Sequence, residues 1–180
     1  MIILDLEVKN GDSRRRLPGP LTLSAPNLQM ISKWIDECKS SHPTCRLDES
    51  AWLPTRLLDV GSLDGTQLPR LVETVKEDVE PPYAALSHMW GDPNQGHAPP
   101  VRTLKANYTK MESGIPWQIM SKNFIDAVIA TRRLGLRYIW IDSLCIIQDS
   151  PEDWQKEAAT MYKVYKFAEI TLVAYVSLFL

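Results

Sequence analysis

The residues best equipped for chemistry stand where two short apolar runs end. Tyr138-Ile139-Trp140-Ile141 runs into Asp142, Ser143, Cys145, Gln148 and Asp149, and Tyr83-Ala84-Ala85-Leu86 runs into Ser87, His88, Trp90, Gly91 and Asp92. A thiol, an imidazole and a carboxylate are the parts of a nucleophile, its base and an orienting group. In that arrangement His88 would deprotonate Cys145 and Asp142 would hold the ring. Glu157 is a further candidate carboxylate. Each residue also has a plain structural reading. Asp142 would cap a turn, Cys145 would be a small buried hydrophobe, and His88 a core histidine hydrogen-bonded at a strand end. Glu157 would reach water from the flank of a helix. Trp90-Gly91-Asp92 is too sparse in glycine for a phosphate loop.

A second cluster, Cys38, His42 and Cys45, has ligand types that suit zinc. A structural zinc site normally takes four ligands and no fourth Cys or His is close, so no bound metal is expected.

The elements that must position the first cluster are legible from patterning. The run at Tyr138 is apolar and β-branched without polar alternation, as in a strand buried on both faces of a parallel sheet. Ligands of open α/β sheets bind just past the carboxyl ends of such strands, so Ser87, His88, Asp142, Cys145 and Gln148 are expected to converge on one cleft. Between the two runs, Ser121 to Leu134 reads as a helix stopped by Gly135. After the second run, Ser150 and Pro151 open another helix, with Asp153 completing a capping box. Trp154, Ala158, Met161, Tyr165 and Ala168 form its expected apolar stripe. Ile170 to Val176 is a third interior-type strand. From residue 83 the alternation is strand, helix, strand, helix, strand, which implies a parallel sheet.

Residues 1–80 read as a small α+β leader. Ile2 to Val8 reads as a strand, residues 11–26 as a connector rich in Pro, Gly and Ser, and Leu28, Ile31, Ile35 and Cys38 recur at helical spacing. Pro54 to Val60 and Leu68 to Val75 look like two strands joined by a turn at Gly61 to Gly65, where Asp64-Gly65 is a hairpin signal. Glu80-Pro81-Pro82 marks the boundary to 81–180.

The totals exclude several classes. The chain has 180 residues, 44% hydrophobic and 23% charged, within the ordinary globular range. A net charge of −2 gives no general attraction to nucleic acid or anionic membrane, and Arg14-Arg15-Arg16 reads as a solvated loop. Three cysteines do not make a disulfide framework, which points to a reducing, cytoplasmic setting. The acids within the apolar start argue against a signal peptide, and no segment is long enough to span a bilayer.

The stretch YAALSHMWGD at 83–92, together with FIDAVIATRRLGLRYIWIDSLCIIQDSPEDWQKEAATMYKVYKFAEITLVA at 124–174, resembles the fungal heterokaryon-incompatibility (HET) domain. LPTRLLDV at 53–60, with Trp34, Cys38, His42 and Cys45, is similar to the segment that often precedes it. The resemblance implies a module of non-self recognition and programmed cell death in fungi, working through protein partners or self-association. It also implies a flavodoxin-like fold related to Toll/interleukin-1 receptor (TIR) domains, with Leu86 to Trp90 on the central strand and Tyr138 to Asp142 beside it. TIR relatives are adaptors or NAD-cleaving enzymes. NAD is therefore the cofactor or substrate of an alternative, enzymatic reading at the strand-end cleft; the adaptor reading needs no cofactor. The family has a Leu-Pro pair before its first helix where this chain has Ile119-Met120-Ser121-Lys122. It also continues well past TLVA, so the domain is expected to be incomplete at its C-terminus. An outer edge of Ile170 to Val176 left open in this way would invite pairing with another chain.

Overall fold

The computed structural model describes residues 3–5, 24–42, 52–62, 64–90 and 100–174. These build one open sheet of six strands: β1 Ile3–Asp5, β2 Arg56–Asp59, β3 Arg70–Glu73, β4 Tyr83–His88, β5 Tyr138–Trp140 and β6 Ile170–Ala174. Their order across the sheet is β1-β6-β4-β5-β2-β3. β4 lies between β5 and β6 and is parallel to both, and β1 is parallel to β6. β2 runs antiparallel to β5 and forms a hairpin with β3. The helices are α1 Ala25–Ser41, α2 Tyr108–Ser113, α3 Lys122–Arg133, α4 Asp142–Cys145 and α5 Pro151–Phe167. Among the described residues no helix is long and apolar enough to cross a membrane.

The elements expected from patterning from residue 83 onward are present, but the sheet is mixed rather than parallel throughout. The reason lies in the residues read as a leader. Leu57, Leu58, Val60, Leu71 and Val72 are all buried in the same core as Leu86, Ile139, Trp140 and Leu172. Two apolar strands with both faces covered need a sheet to join, and β5 offers its free edge to β2 through Leu58↔Ile139 and Asp59↔Tyr138.

The outer edge of β6 is not left open. Ile3, Leu4 and Asp5 pair in parallel with Thr171, Leu172 and Val173, so the expectation of a bare β6 edge is corrected by the first strand. The tail at 175–180 lies outside the described residues.

α3 shows how local signals set the geometry. Ser121 accepts from the Phe124 N–H at its start. At its end, Leu136 N–H donates to Thr131 O and Gly135 N–H to Arg132 O, the paired bonds of a left-handed C-terminal cap. Gly135 adopts φ +76°, which a side chain would resist. The cap turns the chain directly into β5.

α5 departs from its predicted wheel. Pro151 does occupy the first turn, but the Ser150 hydroxyl makes no cap bond and instead donates to Glu152 Oε2 at 2.9 Å. Asp153 leaves the capping box to accept from Ile147 N–H at 2.8 Å. Trp154, placed in the apolar stripe, is 54% exposed, whereas Glu157 is buried with Val164.

Candidate functional site

β4 and β5 deliver their last residues to the same end of the sheet because they are parallel neighbours, with Ala85 opposite Trp140. Past β5 the chain turns at once into α4. A loop strand fixes that turn: Thr103 N–H donates to Ser143 O, its hydroxyl to Leu144 O, and Gln148 N–H returns to Thr103 O. The Gln148 amide also donates to Asp142 O and Ile146 O, at 3.0 and 3.1 Å. Asp142 is thereby held at the mouth of the sheet rather than on a free loop.

Its carboxylate organises the site. Asp142 Oδ1 accepts from Ser143 N–H at 2.6 Å, and Oδ2 accepts from the Trp90 indole at 2.6 Å. His88 Nδ1 lies 3.6 Å from Oδ1, too far for a hydrogen bond. The His88 side chain is only 3% exposed and packs edge-on against Phe124, with ring centroids 4.9 Å apart. Neither ring nitrogen has a hydrogen-bond partner among the described residues. Burial depresses the His88 pKa below its usual value, and the Asp142 charge opposes this only in part. Tyr165, which sequence reasoning did not single out for the site, approaches from α5. Its hydroxyl donates to Leu86 O at 3.4 Å, and burial, with a smaller push from Asp142, raises its pKa to about 12.

The other predicted members sit differently. Cys145 is fully buried, and that burial pushes its thiol up to about 12. Its burial fits the plain reading of a small buried hydrophobe and works against the thiolate form. Ser87 is half-buried on β4, opposite Val173. Asp149 turns away to an exposed contact, its Oδ1 accepting from Lys105 N–H at 2.8 Å. Gly91, Asp92 and Cys45 lie outside the described residues. Cys38 and His42 stand at the end of α1, and no group of three or more potential metal ligands occurs among the described residues.

Glu157 belongs to a separate cluster and corrects the expectation that it reaches water. It is 3% exposed and lies 3.7 Å from Arg56 Nη2. Arg56 Nη2 binds Asp153 Oδ2 at 2.5 Å, and Arg56 Nε donates to Cys145 O at 2.7 Å. Burial works against the Arg56 charge, but the Asp153 and Glu157 carboxylates outweigh it and raise its pKa. Arg56 escaped notice in the sequence because an arginine between Thr55 and Leu57 looks like the solvent-facing residue of an alternating strand. The signal that could have found it is the buried-type run Leu57-Leu58, which leaves β2 no solvent face.

His88 sets an expected pH dependence. A buried neutral imidazole binds protons less readily in the folded chain than in the unfolded one. Its contribution to stability is therefore complete above the unfolded pKa of about 6.5 and is lost as pH falls from there towards the depressed folded value. Urea unfolding between pH 8 and pH 5 should show stability falling by at most about 1.4 kcal/mol per pH unit from this group. His88→Leu should flatten that slope, and Asp142→Asn should extend the loss to lower pH by removing the opposing charge. An unaltered slope in His88→Leu would show that another group is responsible.

The fold and site define an open mixed α/β domain in which the adjacent parallel strands β4 and β5 bring an imidazole, a carboxylate and a tethered indole to one end of the sheet. The profile of the family described as Heterokaryon incompatibility protein (HET) matches residues 83–177, and the chain belongs to that family. No curated protein and no solved structure matches it significantly.

Proposed function

We propose that this chain is a non-self recognition and cell-death signalling module, acting in the cytoplasm through contacts with other proteins rather than by turnover. The observation that carries this reading is Trp90. Its indole is tethered to Asp142 while the residue stays 38% exposed, beside Met89 at 57%. An ordered, solvent-facing aromatic is the kind of anchor that protein interfaces are built around. The groups that catalysis would need are poorly set beside it, with the Cys145 thiol buried and held protonated by that burial, and the His88 ring without a hydrogen bond among the described residues. The order β5-β4-β6, with the first of three parallel strands in the middle, supports a flavodoxin-like or TIR-like relationship for this half.

Induced expression in a fungal host should reduce viability, and Trp90→Ala should restore it without lowering the thermal midpoint. Purified protein incubated with NAD should release no nicotinamide above a buffer control. Nicotinamide release lost in His88→Ala or Asp142→Asn would replace this reading with the enzymatic one.

A further inference from the structure

Among the described residues two arginines are buried, and they are treated differently. Arg56 has two carboxylates against it, whereas Arg132 is 6% exposed and has no carboxylate in salt-bridge contact among the described residues. Its Nε donates to Val60 O at 2.5 Å and its Nη2 to Gln67 O at 2.8 Å, and the guanidinium lies over the Trp117 ring, 5.2 Å from its centre. Asp64 and Asp59 act on it only at longer range. The Asp64 carboxylate is engaged by Ser62 and Thr66, and the Asp59 carboxylate by Arg137 and the Gly61 N–H. The α3 C-terminus offsets part of the charge, by an amount well short of a counter-ion. Among the described residues Nη1 makes no hydrogen bond; it lies beside Gly65, within 3.4 Å of where a Cβ there would stand.

That corner opens on a groove of about 330 Å³ lined by Gly65, Trp117, Ile125, Ile129, Arg132 and Arg133. Ile125, Ile129 and Arg132 or Arg133 follow one another at helical spacings of three and four, so α3 supplies both an apolar wall and a cationic end. Ile125 and Ile129 are half-buried at this edge, while Phe124, Ala127 and Val128 fill the core. We propose that this groove binds a small organic oxyanion, a phosphate or carboxylate carried on a flat apolar body. The oxyanion would lie against Arg132 Nη1 and Arg133, and the body against Trp117, Ile125 and Ile129. A guanidinium fixed by two carbonyls costs little to organise further, and a charged acceptor gains most from such a donor.

Phenyl phosphate, benzoate, inorganic phosphate and phenol, titrated into the isotope-labelled 180-residue chain, test the proposal. Phenyl phosphate or benzoate should shift the Trp117 indole and Gly65 amide signals and bind at least about ten-fold more tightly than inorganic phosphate or phenol. The tighter of the first two identifies the head group. Ile129→Glu places a carboxylate one turn from Arg132. It should abolish binding while leaving the thermal midpoint unchanged or higher, since it supplies the missing counter-ion. Arg133→Gln, on the exposed side of the groove, should weaken binding several-fold. Equal binding of phenol and phenyl phosphate, or unchanged affinity in Ile129→Glu, would overturn the proposal. If Ile129→Glu does not fold, unchanged affinity in Arg133→Gln overturns it alone.

Discussion

Arg56→Ala is expected to destabilise the protein by about 3–5 kcal/mol, the cost of leaving buried carboxylates without their cation. Arg56 is 5% exposed and joins β2 to the opening turns of α5 through Asp153 and to α4 through the Cys145 carbonyl. Removing it strands Glu157, which is 3% exposed, and frees a carbonyl at the turn that holds Asp142. With a net stability of roughly 5–15 kcal/mol to lose from, such a variant would stand near the unfolding threshold. Chemical denaturation read by circular dichroism gives the number. Arg56→Met with Glu157→Met should recover part of the loss, because a pair of apolar side chains of similar volume does not need a counter-charge. A single variant within about 0.5 kcal/mol of wild type would mean that Glu157 and Asp153 find water or take up protons once the arginine is gone.

The parts of this fold that were legible in the sequence are those governed by neighbours in the chain. Ser121 and Gly135 bracket α3 because capping and a left-handed turn are local chemistry, and the structure uses both. The Tyr138 run was legible as an interior strand because it lacks any polar alternation. What the sequence concealed depends on contacts distant in the chain. A helical wheel assigns Trp154 to the core by its hydrophobicity. The structure turns α5 so that Glu157 faces Arg56, just over a hundred residues earlier, and Trp154 faces outward. The site divides in the same way. His88 and Asp142 were foreseeable as neighbours because parallel adjacent strands end together. Whether Cys145 joined them depended on which side of α4 it occupied, and four helical residues carry too little periodicity to say.

The second large effect concerns the stretch that the family profile matches. A chain starting at Tyr83 is expected not to fold cooperatively, whereas the full 180-residue chain should. The boundary at Glu80-Pro81-Pro82 separates segments of sequence, but the sheet runs through it, since β2 hydrogen-bonds to β5 along its antiparallel register. Without the hairpin, β5 presents a bare edge, and the side of the core built by Leu57, Leu58, Val60, Leu71 and Val72 is missing. Each of these side chains contributes roughly 1.5–3 kcal/mol on burial, so their joint loss is comparable to the whole net stability of a domain. Arg56 goes with them, leaving Asp153 and Glu157 without their cation. Residues 1–180 and 83–180, produced side by side, would be compared by thermal unfolding and size-exclusion chromatography. The longer chain should melt in one transition. The shorter should show no transition or elute as aggregate, because an unpaired apolar strand edge pairs with other copies. A sharp melt from residues 83–180 would mean that β4, β5 and β6 with α3 and α5 hold a self-sufficient core, and that the hairpin is an accessory to it.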